Sequence, residues 1–165
     1  MSIAVKITLT MVVILALSIL VVVLIGKALP VKHQAQRSVV IEAGVAQVWA
    51  MLTHYSQMPQ WRVELVSVEK ISAAVWLETD KSGKSIAFNT TASVPEQTLV
   101  RTIVGEDLMF GGSWTFELRA QGSYTQLTIT ENGEVYNPLF RFVAKYIMGY
   151  NSSMDKFLGQ LQLAL

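Results

Sequence analysis

Cysteine is absent from the 165 residues and histidine occurs only twice, at His33 and His54. The first absence excludes disulfides and thiolate metal sites, and it fits an oxidising or a reducing compartment equally. Two histidines without cysteine make no metal cluster, so no metal ligand is assigned. Only His54 falls inside the folded part of the chain as the sequence divides it, and it sits in an expected surface turn, so no Ser–His–Asp arrangement and no catalytic residue is assigned. Charge is scarce as well. From Ala35 onward there are 10 Lys and Arg against 12 Asp and Glu, a net of −2. That balance offers no cationic footprint for nucleic acid. Internal repeats and low-complexity tracts are missing too.

What the chain has in excess is one long apolar run. Ile7 to Gly26 contains no charged residue and is dominated by Val, Ile and Leu, with Lys6 and Lys27 at its ends. At about 1.5 Å per residue it spans roughly 30 Å, the thickness of a bilayer's hydrocarbon core. A cleaved signal peptide has a shorter apolar region and a small-x-small site soon after it, and Gly26-Lys-Ala-Leu-Pro30 is a poor candidate. Residues 1–29 therefore read as an uncleaved, single-pass anchor in the cell membrane, with 7–26 spanning. Lys27, Lys32 and Arg37 on one flank outweigh Lys6 on the other by a narrow margin, which leans toward a cytoplasmic domain but leaves the side open.

After a linker at 30–36, residues 37–165 suffice for one domain with its own core. Arg37 to Ile41 is strand-like, and Gly44 to Leu52 puts Val45, Val48, Trp49 and Leu52 on one helical face. Thr53 to Trp61 holds a second short helix or turn, limited by Pro59. Strands follow at 63–72, 74–79, 84–94, 98–104, 113–119 and 124–130, separated by short turns that imply an antiparallel meander. From Asn137-Pro138 to the C-terminus, apolar residues recur in steps of three and four, the signature of a long helix with one apolar face. Its bend is expected near Gly149 to Ser152. The order β–αα–β×6–α makes the domain α+β.

Several segments then resemble a known family. Val39-Val-Ile-Glu-Ala43, Val48-Trp-Ala-Met-Leu-Thr53, Tyr55 and Met58-Pro-Gln-Trp61 are similar to the opening of the SRPBCC superfamily, the START and birch-pollen-allergen-like helix-grip group. Leu108 to Thr115, Thr128 to Glu134, Tyr136 to Phe142, Gly149-Tyr150 and Phe157-Leu158 resemble its bacterial polyketide cyclase/dehydrase-like branch. The resemblance implies a seven-stranded antiparallel sheet gripping the long C-terminal helix around a hydrophobic pocket.

Large rings are the first candidates for the pocket wall: Trp61, Trp76, Phe88, Phe110, Trp114, Phe116, Tyr146 and Tyr150. Trp114, Phe116 and Leu118 share one strand face, so Leu118 is expected to project into the opening. Met51, Met58, Met109, Met148 and Met154 suit a wall that adapts to flexible ligands. Arg101, Glu131 and Asn132 are polar groups placed to enter a cavity, although Arg101 and Glu131 read equally as a cross-strand or rim pair. His54 reads as an exposed or capping residue and Arg141 as a solvated helix charge. Gly83-Lys84-Ser85 lacks the first glycine of a phosphate loop, since residue 78 is Glu78, and reads as a hairpin turn. No cofactor is expected. Two function classes survive: a membrane-anchored binding module for a lipid-like or isoprenoid-like molecule, and a cyclase or dehydratase acting in the same cavity. The partners expected are a hydrophobic small molecule or lipid, and the membrane through the N-terminal helix.

Overall fold

The computed structural model describes residues 2–106 and 108–165; Met1 of the expected anchor lies outside them. The apolar run forms α1, Ile3–Ala28, with Ser2 as its N-cap. Thr8, Thr10 and Ser18 donate their hydroxyls to the carbonyls of Ala4, Lys6 and Ile14, so the helix has few free polar groups along its length. Nearly all its Leu, Ile and Val side chains are exposed, and it is long and apolar enough to cross a membrane. Pro30, which cannot continue the helix hydrogen bonds, lies just beyond its end.

β1 runs Lys32–Ile41, followed by α2 (Val45–Thr53) and a 3₁₀ turn at Tyr55–Gln60. Six more strands follow: β2 Leu65–Lys70, β3 Val75–Asp80, β4 Ser85–Val94, β5 Thr98–Val104, β6 Phe110–Gln121 and β7 Tyr124–Val135. They make one antiparallel sheet of seven strands in the order β1-β7-β6-β5-β4-β3-β2. The chain after β1 thus crosses to the opposite edge through α2 and meanders back, ending beside β1. The Asp80–Ser85 hairpin is held by Asp80, whose carboxylate accepts from Ser82 and Lys84 backbone N–H, so Gly83-Lys84-Ser85 is a turn.

Two expectations are corrected. The segment read as a linker is strand from Lys32 onward, with His33 and Ala35 half-buried between exposed Lys32, Gln34 and Gln36. Its polar composition hid a period of two. The long C-terminal helix is in fact interrupted: α3 covers Pro138–Val143, a π turn covers Ala144–Met148, and α4 covers Ser152–Ala164. Gly149 between them has φ +77°, a conformation that L side chains rarely adopt, and it ends the first piece near the expected bend.

The interruption decides where the core sits. α4 buries Met154, Phe157, Leu158 and Leu161, spaced i, i+3, i+4 and i+7, against the concave face of the sheet. They meet Phe116, Leu118, Leu127 and Ile129 from β6 and β7, and Val48, Leu52 and Met58 from the crossing segment. This packed core occupies the end of the sheet far from α1. The near end, where α3 and the π turn replace a continuous helix, is left open beneath them.

Candidate ligand cavity

That open half is a cavity of about 570 Å³ between the sheet and the α3–π segment. Its size falls within the range of small-molecule sites, and its wall is mostly apolar. Phe88, Ile103, Phe110 and Trp114 line it from the sheet, and Val143, Ala144, Met148 and Tyr150 from the helical side.

One polar group is built into the wall with unusual care. Glu131 accepts from His33 Nε2 at 3.0 Å and from Trp114 Nε1 at 2.7 Å, one donor on each carboxylate oxygen. The three residues come from β1, β7 and β6, brought together because Ala35, Glu131 and Trp114 pair across three neighbouring strands. His33 pairs with Gly133, two residues along the same face of β7. The imidazole stacks on Tyr150, ring centroids 3.9 Å apart and planes 14° from parallel. With Nε2 committed to Glu131, Nδ1 makes no hydrogen bond to protein among the described residues. A carboxylate thus orients an imidazole in the wall of a mostly apolar cavity.

A second polar group forms the floor. Glu78 is buried and accepts from Arg62 Nη1 at 2.7 Å and Trp76 Nε1 at 3.0 Å. Arg62 also pairs with Glu64 at 3.0 Å. Burial pulls the Glu64 carboxyl upward, but hydrogen bonds from Gln160 and the backbone, with the Arg62 charge, outweigh it and hold the pKa at about 2. Arg101 is buried among Tyr55, Trp76 and Phe116, its guanidinium 4.7 Å from the Phe116 ring centroid and donating to the Leu52 carbonyl. Desolvation lowers it to about 10, so it stays charged at neutral pH. Its work is to tie β5 to the end of α2.

The ten residues expected at the pocket separate by position. Phe88, Arg101, Phe110, Trp114, Glu131 and Tyr150 border the cavity. Trp61, Trp76 and Phe116 are packed in the core instead, and Leu118 with them: Trp61, after the 3₁₀ turn, and Phe116 meet Phe157 of α4, while Trp76 is stacked on Tyr55. Tyr146 points outward from the π turn and is exposed. Arg101 and Glu131 do not pair with each other: Trp114 stands between them in the register. Asn132 faces the other side of β7 and accepts from Gln34, while Met109 and Met148 reach the cavity and Met58 and Met154 fill the core. His54 is exposed as the C-cap of α2, its N–H bonded to the Ala50 carbonyl. Arg141 is no free charge: it donates to the Leu29 carbonyl at 2.7 Å and to Tyr136.

His33, Arg62 and Glu78 border the cavity without having been among the expected residues. The alternation of Lys32 to Ile41 was the signal for His33, because extending the strand by five residues puts it on the face of Ala35. Nothing local marks Arg62, whose partner Glu78 lies two strands away by chain order.

A sequence profile for proteins described as polyketide cyclase / dehydrase and lipid transport matches residues 32–165. The chain belongs to this family. No curated protein matches the chain. Among solved structures, a START superfamily protein from Mycobacterium smegmatis is 14% identical, with a TM-score of 0.66 over 80% of this chain and 96% of that one. Truncated norcoclaurine synthase from Thalictrum flavum is 12% identical, with a TM-score of 0.65 over 82% and 94%. A conserved protein from Geobacillus kaustophilus is 17% identical, with a TM-score of 0.65 over 80% and 94%. At such identities the likeness carries the fold alone, the helix grip. Family and fold together describe a module of the kind that binds hydrophobic ligands.

Proposed function

We propose that this family member is a membrane-tethered binding module for a lipid-like or isoprenoid-like molecule that carries one hydrogen-bonding head group. The observation that carries the reading is the cavity of about 570 Å³, apolar over most of its wall, with His33 held by Glu131 as a localised polar contact. Magnitudes explain why the head group belongs in the proposal. Burying 300 to 500 Å² of apolar ligand gains about 7 to 12 kcal/mol at about 25 cal/mol per Å². Association costs remove at least about 4 kcal/mol, which leaves millimolar to micromolar binding from apolar contact alone. A hydrogen bond to His33 Nδ1 adds selectivity, because a ligand without a partner group leaves that nitrogen dry. Tethering by α1 keeps the cavity beside membrane-dissolved ligands, at high local concentration.

The test is mass spectrometry of small molecules that copurify with the full chain extracted in mild detergent, compared with His33→Phe. Enrichment of one amphipathic species by the wild type, depleted in the variant, supports the proposal. A wild type that carries only bulk lipid in membrane proportions sinks it.

A second reading has one specific observation in its favour. The Glu131–His33 pair is an arrangement that can accept or deliver a proton at Nδ1, as a cyclase or dehydratase reaction needs. Turnover of the copurified ligand that disappears in Glu131→Gln while the ligand is still bound would favour the enzyme over the carrier.

A further inference from the structure

The segment 138–148 has two apolar sides. Its inner side closes the cavity through Phe140, Val143, Ala144 and Met148. Its outer side exposes Leu139, Tyr146 and Ile147, the last with 70% of its surface open, and Phe140 and Met148 are exposed beside them as well as bordering the cavity. Such a cluster on a water-soluble surface is a cost that needs a partner.

Position identifies that partner. The segment is locked to the exit of α1: the Pro138 carbonyl occupies the space a side chain at Gly26 would need, so the two backbones touch. Arg141 closes the joint by bonding the Leu29 carbonyl at 2.7 Å. α3 is therefore fixed at the end of the apolar helix, at the level where a bilayer containing α1 has its surface. Charge agrees with this. No Asp or Glu occurs between Tyr136 and Met154, whereas Arg141, Lys145 and, on α1, Lys27 are cationic. Lys145 sits 5.3 Å from the Tyr146 ring, an aromatic and a cation side by side as at a membrane interface.

We infer that the outer face of residues 138–148 lies in the surface of the bilayer that holds α1, so that the cavity opens to lipid and the segment is its portal. The inference rests on the reading of α1 as the membrane anchor. One thin layer of side chains then separates the cavity from the membrane, and the π turn with Gly149 behind it is the break at which that layer swings. A ligand passes between bilayer and cavity without crossing water.

The absence of cysteine makes the test clean, since one introduced thiol is the only one in the chain. Full chains carrying Leu15→Cys, Ile147→Cys or Ser123→Cys are labelled with an environment-sensitive nitrobenzoxadiazole dye. They are then reconstituted into phosphatidylcholine–phosphatidylglycerol vesicles containing a lipid spin-labelled near the head group. Ser123 lies in the β6–β7 turn, and β7 separates it from the α3 end by about 37 Å at about 3.4 Å per residue. The expected result is lipid quenching at 147 several-fold above that at 123, with quenching at 15 by a chain-centre spin label. Quenching at 147 no greater than at 123, with 15 still quenched, overturns the inference and leaves the anchor standing. A dye at 147 that is shielded from water yet unquenched by lipid also overturns it, because the face is then covered by protein. Loss of quenching at 15 removes the anchor reading and the inference with it. As a second readout, Ile147→Asp should slow uptake of a pyrene-labelled fatty alcohol from vesicles several-fold. Its binding from aqueous solution should be unchanged, and equal effects on both would count against a portal.

Discussion

His33 and Gly133 face each other across β1 and β7, and the imidazole of the first fills the space that a side chain on the second would need. The ring can reach Glu131 only because residue 133 has no Cβ. Gly133→Ala should therefore push His33 off both Glu131 and Tyr150, costing about 1–3 kcal/mol as overpacking does. Combining it with His33→Ala should recover a good part of that loss, since the clash has then lost one partner. Thermal unfolding of the two single variants and the double variant measures the coupling. Strict additivity would mean that the ring does not rest on Gly133.

Gly26 and Pro138 make the other close approach, between α1 and α3. Gly26→Val should separate α1 from α3 while leaving the sheet intact. Valine has a helix propensity no worse than that of glycine, so α1 itself should not melt. The expected outcome is faster amide hydrogen exchange at Ala28, Leu29 and Val31 and at residues 139–141, with the exchange of β6 and β7 unchanged. Uniformly faster exchange would show instead that the joint supports the whole domain.

Glu64 gives a prediction in pH. Its pKa is lowered from 4.5 to about 2, so the unfolded chain takes up a proton before the folded one does. Its contribution to stability is complete above the unfolded value and is lost as pH falls from about 5 toward 2. The slope from a single carboxylate is at most about 1.4 kcal/mol per pH unit, and partial exposure reduces it. Glu64→Gln should flatten the urea-midpoint profile between about pH 5 and 2 and lower stability at pH 7. An unchanged acid limb would show that Arg62 and Gln160 do not hold this carboxylate in solution.

Much of this architecture was readable from periodicity. The seven strands and the crossing helix follow from alternation, turn residues and β-branched runs, and the apolar spacing of Met154, Phe157, Leu158 and Leu161 marks α4. Two boundaries were hidden for physical reasons. Lys32 to Gln36 carries no β-branched residue, so propensity says linker while pairing with β7 makes it strand. The π turn at Ala144–Met148 keeps apolar residues in helical steps, so the pattern continues through a break that only Gly149 signals. Strand parity put Trp114, Phe116 and Leu118 on one face correctly but could not say how far α4 would cover it. That boundary separates core from cavity. The pairing of His33 with Glu131 spans nearly the whole domain in sequence, and no local pattern records it.

The boundary itself can be tested by filling each side of it. Ala144 lines the cavity from the π turn, whereas Leu118 is packed under α4 with 5% of its surface exposed. Ala144→Phe adds a ring of volume where there is empty space, so it should weaken a hydrophobic fluorescent probe by about tenfold or more. Its thermal stability should stay within about 1 kcal/mol of wild type, as surface or cavity-facing changes usually do. Leu118→Trp inserts its bulk into a filled core and should cost about 1–3 kcal/mol with probe affinity nearly unchanged. The contrast carries the argument, because a single variant confuses unfolding with exclusion. Probe titration and thermal melts on both variants read it directly. If Ala144→Phe lowers stability and leaves the probe alone, the space under α3 is closed in solution. If Leu118→Trp displaces the probe, the cavity extends under α4 and the packed core is shorter than it looks.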